Sequence, residues 1–262
     1  MLNGNNFKTI FSFFFMTSLR AKRTRLFIFF SLLPTLILLI TKIVGMIQPI
    51  PFTAGEMFSK VVILLYFQML IPLLALFFGT SIINDEVDNK TLIYLTTTPA
   101  AKGSIVVGKA MAYLALMVSI IGVGLVLAFI IAYTNYLLNP MYIRHLLSFL
   151  LTMTLAILAY GSLFAFLGAL MKKSVIAGII FIFGWEHVVQ YIPGTTQKLT
   201  VYHYVKSLLP VKLAKGNPVL MFQLQPSSFA DAVGTLLFIA ALFLVFTIVI
   251  FYKKEYVLTD NA

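Results

Sequence analysis

Cysteine is missing from this chain, and charge is scarce: Asp, Glu, Lys and Arg together make up 10% of its 262 residues. Without cysteine there is no disulfide, no zinc–thiolate or iron–sulfur centre and no cysteine nucleophile. Against 61% hydrophobic residues, so little charge cannot cover a water-facing surface. A soluble domain carries about 25% charged and roughly 45–50% apolar residues. The apolar runs leave no stretch long enough for a separate soluble domain, which excludes a soluble enzyme. Acidic residues are scarcest, 8 against 19 Lys and Arg, for a net charge of +11. A basic balance can mark a nucleic-acid binder. Here Lys and Arg flank apolar runs, which points instead to membrane orientation and contact with membrane lipids.

A helix that crosses a bilayer needs about 20 mostly apolar residues. Six stretches qualify, at 26–46, 61–83, 110–133, 146–170, 175–191 and 233–252. The expected fold is an all-α integral membrane domain over 1–262 with six transmembrane helices. Pro34 falls inside the first span, and Pro72 is expected to kink the second. Ahead of them, residues 5–23 place Phe7, Ile10, Phe11 and Phe14 on one helical face, with Lys8, Ser12 and Arg20 elsewhere. That is the pattern of an amphipathic helix lying along the interface. The aromatic stretch precedes the basic cluster Arg20, Lys22, Arg23 and Arg25. A secretory signal has the opposite order, and no cleavage pattern follows, so the whole chain reads as mature protein.

Orientation follows from where Lys and Arg fall. With the N-terminus in the cytoplasm, twelve lie on the inner side and seven outside, four of those in one long loop. Both termini cytoplasmic is the consistent solution, and it requires an even number of spans. The expected location is a cell membrane, the cytoplasmic membrane of a prokaryote. In the fourth span Gly161, Ala165 and Ala169 recur every fourth residue, a spacing that lets helices approach closely in lipid.

Two connections are long enough to carry function. The outer one, 192–230, contains Pro193, Pro210, Pro218 and Pro226, with a stretch around 202–213 suited to a short re-entrant or surface helix. The cytoplasmic one, 85–109, opens with Asp85, Glu86 and Asp88, three of the chain's 8 acidic residues. Thr91, Leu92 and Leu95 follow on a short amphipathic pattern that Pro99 ends. Ile105 through Gly108 and Lys109 then lead into the third span. This succession resembles the permease subunits of ABC-2 type ATP-binding cassette transporters. That family has an acidic residue, a Gly-Thr-Leu-like step, a leucine-rich turn, a proline and an Ile-x-x-Gly-Lys lead into span three. Here Lys90 stands where the family usually has glycine. The motif covers about 25 residues. The six-span layout, the interfacial N-terminal helix and the long outer loop extend the resemblance along the chain.

The resemblance implies that 85–109 is a coupling helix docked in a groove of a separate ATPase, with Asp85, Glu86, Asp88, Thr91, Leu92, Leu95, Pro99 and Lys109 as the coupling residues. It also implies two copies of a cytoplasmic ATP-binding cassette ATPase, which hold the ATP and Mg. A second permease, the same chain or a homologue, would complete the pathway, with export as the default direction. An apolar face with flanking charges suits groove binding. The other reading of 85–109 is a solvated connector.

Gly103 to Lys109 also spells G-x-x-x-x-G-K. A phosphate loop needs Ser or Thr next, after a β-strand. Ala110 supplies no hydroxyl and the flanks read as helix, so no cofactor is expected in this chain. Glu186 and His187 follow Trp185 deep in the fifth span, roughly 20 Å along it at about 1.5 Å per residue. Ionisable residues at that depth are candidate pathway residues; alternatively the helix ends or re-enters there. His145, His187, His203 and Glu186 match no metal-ligand spacing. Two further function classes stay open: a secondary transporter or channel working without an ATPase, expected to show paired intramembrane charges, and a non-transporting scaffold.

Overall fold

The computed structural model of the chain describes residues 4–47, 53–88, 102–134, 137, 139–190, 192, 195–210 and 226–253, and every regular element among them is helical. Helix α1 (Gly4–Arg20) breaks at Ala21, and α2 (Lys22–Ile47) begins at once. The Thr24 hydroxyl donates back to the Ser18 carbonyl across that break. Lys22 and Arg23 therefore belong to the first span, not to the interfacial helix expected over 5–23. The second span starts as α3 (Ala54–Val61), where Thr53 and Glu56 form a reciprocal capping box. It winds as a π-helix over Val62–Leu70 and ends as α4 (Ile71–Asp88). The π winding lies just before Pro72, which has no N–H to give and would clash with the preceding turn of an α-helix. The expected kink residue thus coincides with a change of helix type.

Helix α5 (Lys102–Ala132) follows, then α6 (Pro140–Leu170), capped by Asn139 with Pro140 in the first helical position. Next come α7 (Ser174–Ile180), a π turn over Phe181–Glu186, and α8 (His187–Val189). A 3-10 turn (Thr195–Leu199) leads into α9 (Val201–Leu208), and α10 (Phe229–Lys253) closes the described chain.

Five of these rods are long and apolar enough to cross a membrane: Lys22–Ile47, Gly55–Asp85, Val106–Ala132, Pro140–Leu170 and Phe229–Lys253. The fifth expected span, 175–191, is a shorter apolar helix, Ser174–Val189. At about 1.5 Å per residue it reaches roughly 24 Å, less than the ~30 Å of a hydrocarbon core.

Lipid tails are as apolar as leucine, so burial alone does not hold such helices together; close packing and interhelical hydrogen bonds do. Spans one and three carry a ladder of such bonds in constant register. Ser31 Oγ donates to the Ile120 carbonyl (2.9 Å), Thr35 Oγ1 to that of Gly124 (3.0 Å) and Lys42 Nζ to that of Ile131 (2.8 Å). Each rung joins residues 89 apart. A fixed offset means that α2 and α5 run parallel, so the chain returns through α3 and α4 between them. The start of α2 and the start of α5 therefore share one end of the bundle. Tyr66 joins the same ladder, donating to the Ser31 carbonyl at 2.7 Å. The contact is close because Gly124 has no side chain: a Cβ there would lie 2.6 Å from both Ser31 Oγ and Tyr66 Oη. Gly124→Ala is expected to lower the melting temperature in detergent by about 3–10 °C through overpacking. Gly234, with nothing within 4 Å of an added Cβ, is the control, and Gly234→Ala should leave the melting temperature unchanged or slightly raised.

The core is the crossing of α4 with α6. A Cβ on Gly79 would sit 2.8 Å from the Gly161 carbonyl, and one on Gly168 would sit 2.8 Å from the Thr80 carbonyl. Gly161, Ala165 and Ala169 are buried, as the small-residue spacing predicts. Helices α2 and α10 flank this centre and bury the least of themselves.

Candidate functional site

The acidic stretch that opens the 85–109 connection lies in the last turn of α4, where the negative end of the helix dipole disfavours carboxylates. Arg23 offsets this for Asp85. Its guanidinium holds the carboxylate bidentately, Nη2 to Oδ2 at 2.6 Å and Nη1 to Oδ1 at 3.2 Å. Nη1 also donates to Ser81 Oγ at 2.9 Å, and the Tyr113 hydroxyl donates to Asp85 Oδ2 at 3.3 Å. The guanidinium carbon lies 5.9 Å from the centre of the Phe78 ring and 6.0 Å from that of Tyr113. This ion pair joins the start of span one to the end of span two, and Tyr113 adds the start of span three.

Lys109 belongs to the same end. It is 2% exposed, and its ammonium lies 5.2 Å from the Phe14 ring of α1 and 5.6 Å from the ring of Tyr113. Helix α1 thus lies over the lysine of the Gly-Lys pair. Asn84 extends the node to the fifth segment, its amide donating to Ser174 Oγ at 2.7 Å. Of the coupling residues, the structure brings Asp85 and Lys109 to one node through Tyr113. Glu86 and Asp88 lie in the same last turn of α4. Thr91, Leu92, Leu95 and Pro99 lie outside the described residues. Sequence reasoning counted Arg23 as a surface charge and passed over Ser81 and Tyr113. The signal was Ser81 and Asp85 four residues apart on an otherwise apolar helix.

Glu186 lies in a second polar assembly. Its carboxylate is 3% exposed and accepts the backbone N–H of Val201 (2.9 Å), the N–H of Tyr202 (3.1 Å) and the hydroxyl of Tyr160 (3.0 Å). The two amides open α9 and have no partner within that helix. Glu186 therefore caps α9, which folds back to meet it. The fifth segment and α9 are thus joined through this carboxylate. His187 does not join: its Nδ1 meets the Ile182 carbonyl one turn back at 2.9 Å.

These features define a class: a multi-pass, all-helical membrane protein with a polar node joining its first two helices to the end of α4 and the start of α5. The chain belongs to the ABC-2 family transporter protein family, whose model matches residues 8–256. It is therefore a permease subunit of an ABC transporter and a non-catalytic membrane component, of a kind that typically works with ATPase subunits. No curated protein matches the chain.

Proposed function

We propose that this permease takes its power stroke through the node at Arg23, Asp85, Tyr113 and Lys109, from an ATP-binding cassette ATPase docked on 85–109. The observation that supports the reading is the Arg23–Asp85 pair. A push on the 85–109 connection reaches α4 at Asp85 and α5 at Lys109, and the pair conveys it to α2. Leu92 and Leu95 supply the apolar face that the ATPase groove takes, with Glu86, Asp88 and Thr91 beside it and Pro99 ending the helix. Two ATPases, holding ATP and Mg, act on two permeases, this chain paired with itself or a homologue. Transport runs outward across a cell membrane, with Glu186 and His187 as candidate pathway residues.

The chain crosses six times in this reading, with both termini and the 85–109 connection in the cytoplasm. The short fifth segment and the α9 re-entry together span the bilayer. The absence of cysteine makes this directly testable with single-cysteine variants and a membrane-impermeant maleimide. Thr195→Cys is expected to label in intact cells. Lys172→Cys and Ala101→Cys should label only after permeabilisation. Labelling of Lys172→Cys in intact cells would contradict the six-span topology.

A further inference from the structure

Span two changes partners along its length. Its outer half is held by α2: Tyr66 Oη lies 2.7 Å from the Ser31 carbonyl and 3.2 Å from Thr35 Oγ1. The ladder fastens α2 in turn to α5. Its inner half, α4, is clasped by other helices. Gly79 and Thr80 meet Gly161 and Gly168 of α6, and a Cβ on Gly178 of α7 would run into Leu76. Asn84 donates to Ser174 at 2.7 Å, and α10 lies on α6 with the rings of Phe166 and Phe243 5.2 Å apart. The spans thus fall into two groups, α2 with α5 and α4 with α6, α7 and α10. Span two passes from the first to the second between Tyr66 and Leu76. That stretch holds most of the π segment Val62–Leu70, together with Pro72. Proline and π winding are the usual places where a helix bends, because Pro72 leaves a carbonyl of the preceding turn without its donor.

The seam between the groups is closed differently at its two ends. At the outer end rings interlock: that of Phe58 in α3 lies 5.9 Å from Phe129, 5.4 Å from Tyr133 and 5.4 Å from Phe149, which come from spans three and four. At the inner end Arg23 and Tyr113 reach across to Ser81 and Asp85, beside ring contacts of Phe27 with Phe77 and Phe78. Between the ends α5 does not fill the groove of α4 and α6. An apolar void remains, lined among others by Gly79, Tyr113, Leu114, Met117, Gly161 and Leu244, where close-packed interiors leave few. We propose that span two is a hinge over Val62–Pro72 and that the Arg23–Asp85 pair is the clasp that holds the inner ends of the two groups together. Clasped, the groups move as one. Unclasped, the α4 group swings about the outer aromatic cluster, and the void gives it room. The device belongs to this chain alone and does not depend on what docks on 85–109.

From Ile71 to Asp85, α4 runs roughly 21 Å at about 1.5 Å per residue. A change of about 10–20° at the hinge therefore moves its inner end by about 4–7 Å. The chain has no cysteine, so pairs of spin labels on the full chain in lipid nanodiscs can read this by pulsed electron double resonance. Leu26→Cys with Lys172→Cys reads across the seam. Leu26→Cys with Met111→Cys, and Lys172→Cys with Lys253→Cys, read within each group; all four positions are exposed. Asp85→Asn is expected to shift the cross-seam distance by about 4–7 Å and to leave both within-group distances where they are. Adding Pro72→Ala, which restores the N–H and lets the segment wind as an α-helix, should cut that shift to less than half. Where the doubly substituted chain does not fold, Asp85→Asn decides alone. An unchanged cross-seam distance in Asp85→Asn, within-group distances that shift with it, or a shift that keeps its full size with Pro72→Ala would each overturn the hinge.

Discussion

Asp85→Asn is expected to cut transport per ATP hydrolysed about tenfold while leaving the ATPase bound, a loss within the usual range of coupling free energies. The neutral amide keeps the shape of Asp85 but not the charge that Arg23 holds bidentately. Helix α2 is then no longer tied to the end of α4, while the proposed contact of Leu92 and Leu95 with the ATPase is untouched by the substitution. The Arg23 and Asp85 side chains are 37% and 28% exposed, so the stability cost of breaking the pair is modest. Arg23→Met combined with Asp85→Leu separates the two effects. An apolar pair of similar volume restores stability or improves it. Coupling should stay low, because two apolar side chains have no fixed mutual geometry. Reconstituted vesicles, with ATP hydrolysis and transport measured together, give the ratio. A double variant with wild-type coupling would show that the pair is only structural.

The second large effect is expected at Glu186. Tyr160→Phe removes one donor and leaves the carboxylate on both amides. Glu186→Gln has a single carbonyl oxygen for two backbone N–H groups, so one amide of α9 loses its acceptor, at about 1–3 kcal/mol. Glu186→Leu orphans both amides and the Tyr160 hydroxyl, which should cost several kcal/mol by the usual price of unpaired buried polar groups. The expected order of melting temperatures is wild type, Tyr160→Phe, Glu186→Gln, Glu186→Leu, with protease sensitivity at 195–208 rising in the same order. If Glu186 also lines the pathway, Glu186→Gln will lose transport out of proportion to its loss of stability. Transport that tracks stability across all three variants confines Glu186 to capping.

What was legible in the sequence was what local composition controls. Apolar length located the first four spans and the last, because a crossing helix must satisfy its own backbone. Small-residue spacing located the face of α6 at Gly161 and Ala165. What stayed hidden depends on partners far along the chain. Arg23 and Asp85 are 62 residues apart, so the charge count left Arg23 at the lipid surface, and the family resemblance assigned Asp85 to the ATPase. The fifth segment is apolar, but its described helix is shorter than the span expected over 175–191. Its helix stops at Val189, soon after Glu186, whose carboxylate meets amides 15 and 16 residues later. Nor does any local signal show that Ser31, Thr35 and Lys42 form a ladder, since their acceptors are backbone carbonyls and carry no residue identity. Membership of the ABC-2 family was readable from the 85–109 motif and is borne out over 8–256.

The central claim, that an ATPase takes hold of 85–109 through its apolar face, meets its most direct test in copurification. The full chain and the double variant Leu92→Asp, Leu95→Asp are drawn from native membranes, and the bound ATPase is quantified by mass spectrometry. Wild type should retain the ATPase in stoichiometric amount. The variant, still folded by its melting temperature, should lose at least about tenfold of it, as expected when two buried anchors of a groove-bound helix become charged. Equal retention by both would contradict docking at 85–109.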